Sequence, residues 1–184
     1  MASPSIEPNL PGTESPGLVL RLALRFGVGV GVLCALWMAG LQMTGNNGFG
    51  PKQILAQLLV PLAAVTSEWL LRRQLRPSKP GLGRSLGVGV LTVLFAAVVS
   101  AASLVGLAHG VGEPALARNR AEIREIVRLQ QQENPKVKRT EREIQDQLRR
   151  VDNLTAGDMA ISNFTQILVL GLAFAVPAGI FLRE

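Results

Sequence analysis

The sequence predicts an all-α integral membrane protein: four transmembrane helices, with a charged helical insert between the third and fourth. Three observations carry that prediction. Of 184 residues, 48% are hydrophobic and only 17% charged, whereas an ordinary soluble domain carries roughly 25% charged residues. Tyrosine is missing, and the mean hydropathy is positive at +0.30. The apolar residues are also bunched into long stretches. Such a chain is not a disulfide-rich secreted domain or a disordered polymer, and its composition argues against a soluble enzyme.

The elements follow in order. Residues 1–17 hold four prolines, two acids and no base, so they read as a disordered tail rather than the basic start of a cleavable signal. Residues 18–184 form the transmembrane domain. The first span covers 18–43, with Arg21 and Arg25 near its start. Both can reach out of the membrane along their own stems. The second span, 54–71, has Pro61 in its middle and Glu68 near its end. Pro61 supplies no N–H to the helix ladder, which predicts a kink. The third, 86–108, is interrupted only by Thr92, Ser100 and Ser103 among polar residues. The fourth, 164–182, contains Pro177 and stops before Arg183. About 20 helical residues cross a hydrocarbon core. All four must be helical, because an unpaired backbone group in lipid costs roughly several kcal/mol.

Orientation follows the bases. The link after the second span carries Arg72, Arg73, Arg76, Lys79 and Arg84 without an acid, while the link after the first offers only Lys52. Both termini are therefore expected in the cytoplasm. The insert, residues 110–160, holds ten bases and nine acids. It reads as two helices. The first has Pro114 in its first turn, the stripe Leu116, Ile123 and Val127 widened by Ile126 and Leu129, and a stop at Asn134-Pro135. The second opens on a capping box at Thr140 and presents Ile144, Leu148 and Val151, with i,i+4 pairs Arg142–Asp146 and Asp146–Arg150. Two readings stand for this hairpin. It binds a partner or the membrane surface, closing over the outer mouth, or it is a solvated connector packed weakly on its own spans.

Chemistry is bounded by scarcity. Cys34 is the only cysteine and His109 the only histidine. A disulfide, a Cys/His metal site and a nucleophile–base–orienter set are all beyond one such chain, so no catalytic, cofactor or metal residue is expected. Nucleic acid is not an expected partner, since the insert has no aromatic residue for a base to stack on. The glycines Gly27, Gly29 and Gly31 lack the context of a dinucleotide fingerprint. Gly27 with Gly31, and Gly171, Ala175 and Gly179, instead fit small-xxx-small faces that bring helices together, within the chain or between copies. Gln57, Thr66, Ser67, Ser100, Ser103 and Gln166 are candidates for an interhelical hydrogen-bond network. Trp37 and Trp69 read as interface anchors.

Three residues form the candidate polar site: Glu68, Arg72 and His109. An ionisable group inside a span is a functional hypothesis by default, here a proton or cation ligand. Arg72 four residues on offers the plainer alternative, an interfacial ion pair. His109, just past the third span, could titrate near neutral pH or simply sit exposed.

The layout resembles a known family. The first span ends near Trp37, the second closes on Arg72-Arg73, and a short basic link leads to a third span bearing Gly87 and Gly89. Pro114, the charged insert and a C-terminal last span follow. Over residues 18–184 this is similar to the bacterial four-span membrane proteins catalogued as domain of unknown function 4199. The resemblance implies an inner-membrane location and no established activity, so no functional residue is carried over. The leading expectation is a non-enzymatic assembly or accessory partner acting through bundle and insert, with the lipid bilayer and a membrane protein or second copy as partners. The alternative is a small transporter or channel component using Glu68 near the Pro61 kink.

Overall fold

A computed structural model of the chain describes residues 16–77, 79–133 and 141–183. Most of the expected tail, the break at Asn134-Pro135 and the capping box at Thr140 lie outside these residues. Six helices succeed one another: α1 (Pro16–Met43), α2 (Ile54–Gln57), α3 (Leu59–Gln74), α4 (Gly81–Glu133), α5 (Glu141–Asp152) and α6 (Ala156–Phe181). A 3-10 turn, Pro51–Gln53, leads into α2. No strand occurs among the described residues. Four segments are long and apolar enough to cross a membrane: Gly17–Met43, Pro51–Gln74, Gly81–Gln130 and Ala156–Phe181. Leu36, Leu62, Val98 and Val169 on these segments are half or more exposed. An apolar surface that continuous belongs against lipid, not water.

The punctuation of the helices has local causes. Pro61 has no N–H for the carbonyl of Gln57, and the second span is interrupted at Leu58, between α2 and α3. Gly112 takes φ 72 and ψ −174, which divides α4 into a spanning part, 81–111, and an insert helix, 113–133, with Pro114 in its first turn. A side chain at position 112 would be strained in that left-handed conformation. The last helix begins at Ala156 rather than near Phe164. Thr155 caps it: the Asp158 amide donates to Thr155 Oγ1 at 3.2 Å, and the Thr155 amide donates to Asp158 Oδ2 at 2.9 Å. That reciprocal box satisfies two orphan donors.

The spanning part of α4 is the centre of the bundle. Its buried residues Ser85, Val88, Gly89, Thr92, Val93 and Ala96 recur at the i, i+3, i+4, i+7 spacing of one helical face. The glycines of α1 and α6 are seats for this helix. A Cβ at Gly27 would lie 2.6 Å from the Thr92 carbonyl oxygen, and one at Gly31 would lie 2.8 Å from Val99 Cβ. Gly171 is held as closely against Val93, and Gly179 against Leu86, at 2.5 and 2.6 Å. The small-residue faces therefore pack within the chain. Gly29 of the same run touches nothing.

Two ends result. At the basic end, the link after α3, Leu22, Ala23, Leu71 and Val88 make a core cluster. At the other end, which we call the mouth, the α1–α2 link meets the insert. Arg118 Nη2 donates to the Gly45 carbonyl at 2.6 Å, and Leu116 packs on the cluster of Met38, Phe49, Leu104 and Met159. The hairpin's own ion pairs are Arg124–Asp152, joining its two helices, and Arg120–Glu113. The i,i+4 pairs expected inside α5 are not among the described ion pairs. Arg124 reaches Asp152 on α5, whereas Arg120 pairs with Glu113 two turns back on its own helix.

Candidate functional site

Glu68 lies on the inward face of α3. Val60, Ala64, Ser67, Glu68 and Leu71 are all buried, a spacing that aims each of them at α4 and α6. Glu68 itself has no exposed surface, and neither carboxyl oxygen has a hydrogen-bond partner. The expected ion pair with Arg72 is therefore not made. Arg72 is half-buried on the same helix, and a residue that lies on the packed face at i does not share solvent with a residue at its rim.

The wall opposite Glu68 is built from the smallest side chains available. A Cβ at Gly89 would overlap Oε1 of Glu68, lie 2.8 Å from its carboxyl carbon and stand 3.3 Å from Ala175 Cβ. The carboxyl group thus occupies the volume that any side chain at position 89 would fill. One helical turn toward the basic end, the Ser85 hydroxyl is also buried and unpartnered. On the other side, Ser67 and Thr92 hydroxyls meet at 3.0 Å, and each is within reach of its own helix: Ala64 O at 2.7 Å and Val88 O at 2.7 Å. Neither turns to Glu68. An ionised carboxylate in this setting lacks the compensation that burial demands, a penalty on the order of several kcal/mol.

The mouth carries the second polar cluster, and there the groups are paired. Asn47 Nδ2 donates to Asn119 Oδ1 at 2.9 Å and to Glu122 Oε2 at 2.6 Å, while the Phe49 amide donates to Asn47 Oδ1 at 2.9 Å. Asn119, 1% exposed, also donates to the Met159 sulfur at 3.1 Å. Deeper in, Ser100 donates to Asn163 Oδ1 at 3.0 Å, and Asn163 Nδ2 donates to Gln53 Oε1 at 3.1 Å. A cleft of about 480 Å³ opens between Phe49, Gln53, Ile123 and Asn163.

The proposed network thus forms only in part. Ser67 and Ser100 bond across helices, whereas Thr66 and Ser103 donate back to Leu62 and Val99 of their own helices. Gln57 is buried with its side-chain oxygen unpartnered, and Gln166 is exposed. The residues that complete the mouth, Asn47, Asn119 and Asn163, were not singled out from sequence. Asn119 falls on the stripe of Leu116 and Ile123, which is the signal that could have found it.

His109 does not join Glu68. It is exposed, with Nδ1 2.8 Å from the Val105 carbonyl oxygen. Twenty residues of α4 separate it from Gly89, about 30 Å of helix at 1.5 Å per residue. Among the described residues, no three His, Cys, Asp or Glu side chains come close enough to share a metal ion. Trp37 and Trp69 are both exposed; Trp37 donates to the Lys52 carbonyl at 3.1 Å, and the Arg73 guanidinium lies 5.6 Å from the Trp69 ring centre.

Residues 25–184 match the family described as "Protein of unknown function (DUF4199)", the family that the layout of the sequence resembles, and the chain belongs to it. No curated protein and no solved structure matches the chain.

Proposed function

We infer that this member of the DUF4199 family is a non-enzymatic multi-pass membrane protein that handles an ion or a small solute at Glu68. One observation carries the reading: a carboxyl group with no exposed surface and no hydrogen-bond partner sits between helices that are long and apolar enough to span a bilayer. An ionisable group inside a membrane-spanning bundle is costly to keep, and such groups line ion pathways and proton relays. Pro61, which leaves the Gln57 carbonyl without its ladder donor, gives the same helix a point of flexure. In proteoliposomes, Glu68→Gln is expected to abolish proton or sodium flux measured with a pH-sensitive dye and with labelled sodium. Equal flux from the wild type and the variant would sink the reading.

A second reading, an assembly or accessory partner, is supported by the outward side of the insert. Its stripe residues Leu116 and Ile123 turn to the bundle, but Ile126 and Leu129 remain exposed. Replacing both with glutamate should release any membrane protein that co-purifies in mild detergent. Unchanged co-purification counts against a partner on that face. The absence of catalysis belongs to the same proposal, because the sole histidine stands at the mouth with only a backbone contact.

We place the protein in the bacterial inner membrane with both termini in the cytoplasm. The support is the five-base link, Arg72 to Arg84, at one end of the bundle. Single cysteines at Thr44 and Lys79, in a Cys34→Ala background, should react with a membrane-impermeant maleimide from opposite sides. Reaction of the Lys79 position from outside would reverse the topology.

A further inference from the structure

We propose that the species bound and released at Glu68 is a proton rather than a metal cation. This rests on the reading of Glu68 as an ion-handling site and narrows it. The two ions differ in the donor set that each requires. A hard cation takes about six oxygen ligands, and in discontinuous membrane helices these are supplied by unwound backbone carbonyls and polar side chains. Around Glu68 the helix α4 is regular, so its carbonyls are committed to the helix ladder; the unpartnered Ser85 hydroxyl and the Ala173 carbonyl that Pro177 leaves without a ladder donor add at most two oxygens, far short of such a shell. The Ser67 and Thr92 hydroxyls are committed to each other and to carbonyls of their own helices. The carboxyl lies against Gly89, and the methyl group of Ala175 is 3.3 Å from where a Cβ at that position would stand.

Arg21 and Arg25 on α1, Arg84 at the start of α4 and Arg183 after α6 are all exposed, and Arg72 on α3 is half-buried. No described cation donates to either carboxyl oxygen. With no ammonium, guanidinium or metal-ligand shell to balance it, the carboxylate has one available counter-charge, and that is H⁺. A proton needs no cage of ligands and no added volume, which suits a group already filling the space above Gly89.

A lipid-soluble carbodiimide tests this directly on the full chain. A protonated carboxyl adds across one C=N bond of dicyclohexylcarbodiimide: its oxygen bonds to the central carbon, and its proton moves to nitrogen. The resulting O-acylisourea rearranges by an oxygen-to-nitrogen acyl shift into a stable N-acylurea, and nothing is released. Wild-type protein in phosphatidylcholine–phosphatidylglycerol liposomes would be treated from about pH 5 to about pH 9, the range over which carboxyls in apolar surroundings titrate. Parallel series would contain sodium or choline as the only added cation, and peptide mass spectrometry would read the adduct. Glu68→Gln serves only to assign the modified site.

The expected result is an adduct at Glu68 that falls at least about tenfold from the acidic to the alkaline end, identically in sodium and in choline. Protection by sodium at constant pH would overturn the proton assignment while leaving an ion-handling site at Glu68 standing. An adduct independent of pH would overturn it too, because the proton would not exchange. So would the lack of an adduct at every pH. Failure of the broader reading is separate: it appears as unchanged flux in Glu68→Gln, whatever the labelling.

Discussion

The asparagine cluster of the mouth and the carboxyl of Glu68 are buried polar groups of opposite kinds. At the mouth, Asn47, Asn119, Asn163 and Ser100 are buried, and each is hydrogen-bonded to another helix or link. Toward the basic end, Glu68 and Ser85 are buried just as completely and have no partner. Gln57, one turn from Gln53, is the exception on the mouth side, with a buried unpartnered side-chain oxygen. The difference separates two uses of polarity in an apolar fold. A satisfied network fixes the position of the pieces it joins, here the α1–α2 link, the insert and α6. An unsatisfied carboxyl fixes nothing and costs stability, so its retention points to chemistry.

Four single variants and one double variant break or sharpen that contrast, and the unique thiol gives them a common measurement. Cys34 is buried, so the temperature at which it reacts with a fluorogenic maleimide in detergent reports unfolding. The largest effect is expected from Gly171→Leu, which attacks the frame that both ends share. Its new side chain would run into Val93, 2.5 Å from the first added atom, and a loss of about 3 kcal/mol follows from overpacking of that kind. Gly89→Ala should cost about 2 kcal/mol, because its methyl overlaps Oε1 of Glu68. Combining it with Glu68→Ala should return part of that loss as a coupling of at least about 0.5 kcal/mol; strict additivity would mean the two positions do not share space.

At the mouth, Asn119→Ala should cost about 1–2 kcal/mol, since it strips partners from Asn47 and Met159 together. The smallest stability change is expected for Glu68→Leu, within about 1 kcal/mol of wild type or above it, as removing a buried uncompensated charge is often neutral or favourable. A clear destabilisation by Glu68→Leu, or none by Asn119→Ala, would erase the distinction between the two ends.

Much of the architecture was legible in the sequence, for reasons that are local. The four spans announce themselves through apolar length, and the insert through Pro114 and a stripe at helical spacing. The start of α6 was not, because Thr155 and Asp158 precede residues that are still half polar, so the apolar run begins well after the helix does. The sequence left two alternatives for Glu68, an ion pair with Arg72 or a functional group inside the bundle. The spacing of Glu68 from Arg72 favours a pair on any exposed helix, but Ala64, Leu71 and Leu75 lie on the same side of α3, and that stripe turns the carboxyl inward. Asn119 was hidden by its surroundings, a polar residue among many in a charged segment. Only the stripe on which it falls distinguishes it.

The glycine seats of α1 have a bearing on how the protein is made. Gly27 and Gly31 fit against Thr92, Phe95 and Val99, residues of the third of the four segments, while the second segment offers α1 a smaller surface. Gly171 and Gly179 of the last segment fit the same helix. A nascent chain with two segments inserted therefore holds a helix whose complementary surface has not yet been synthesised. Consolidation waits for α4, and the final helix then docks on a template that is already in place.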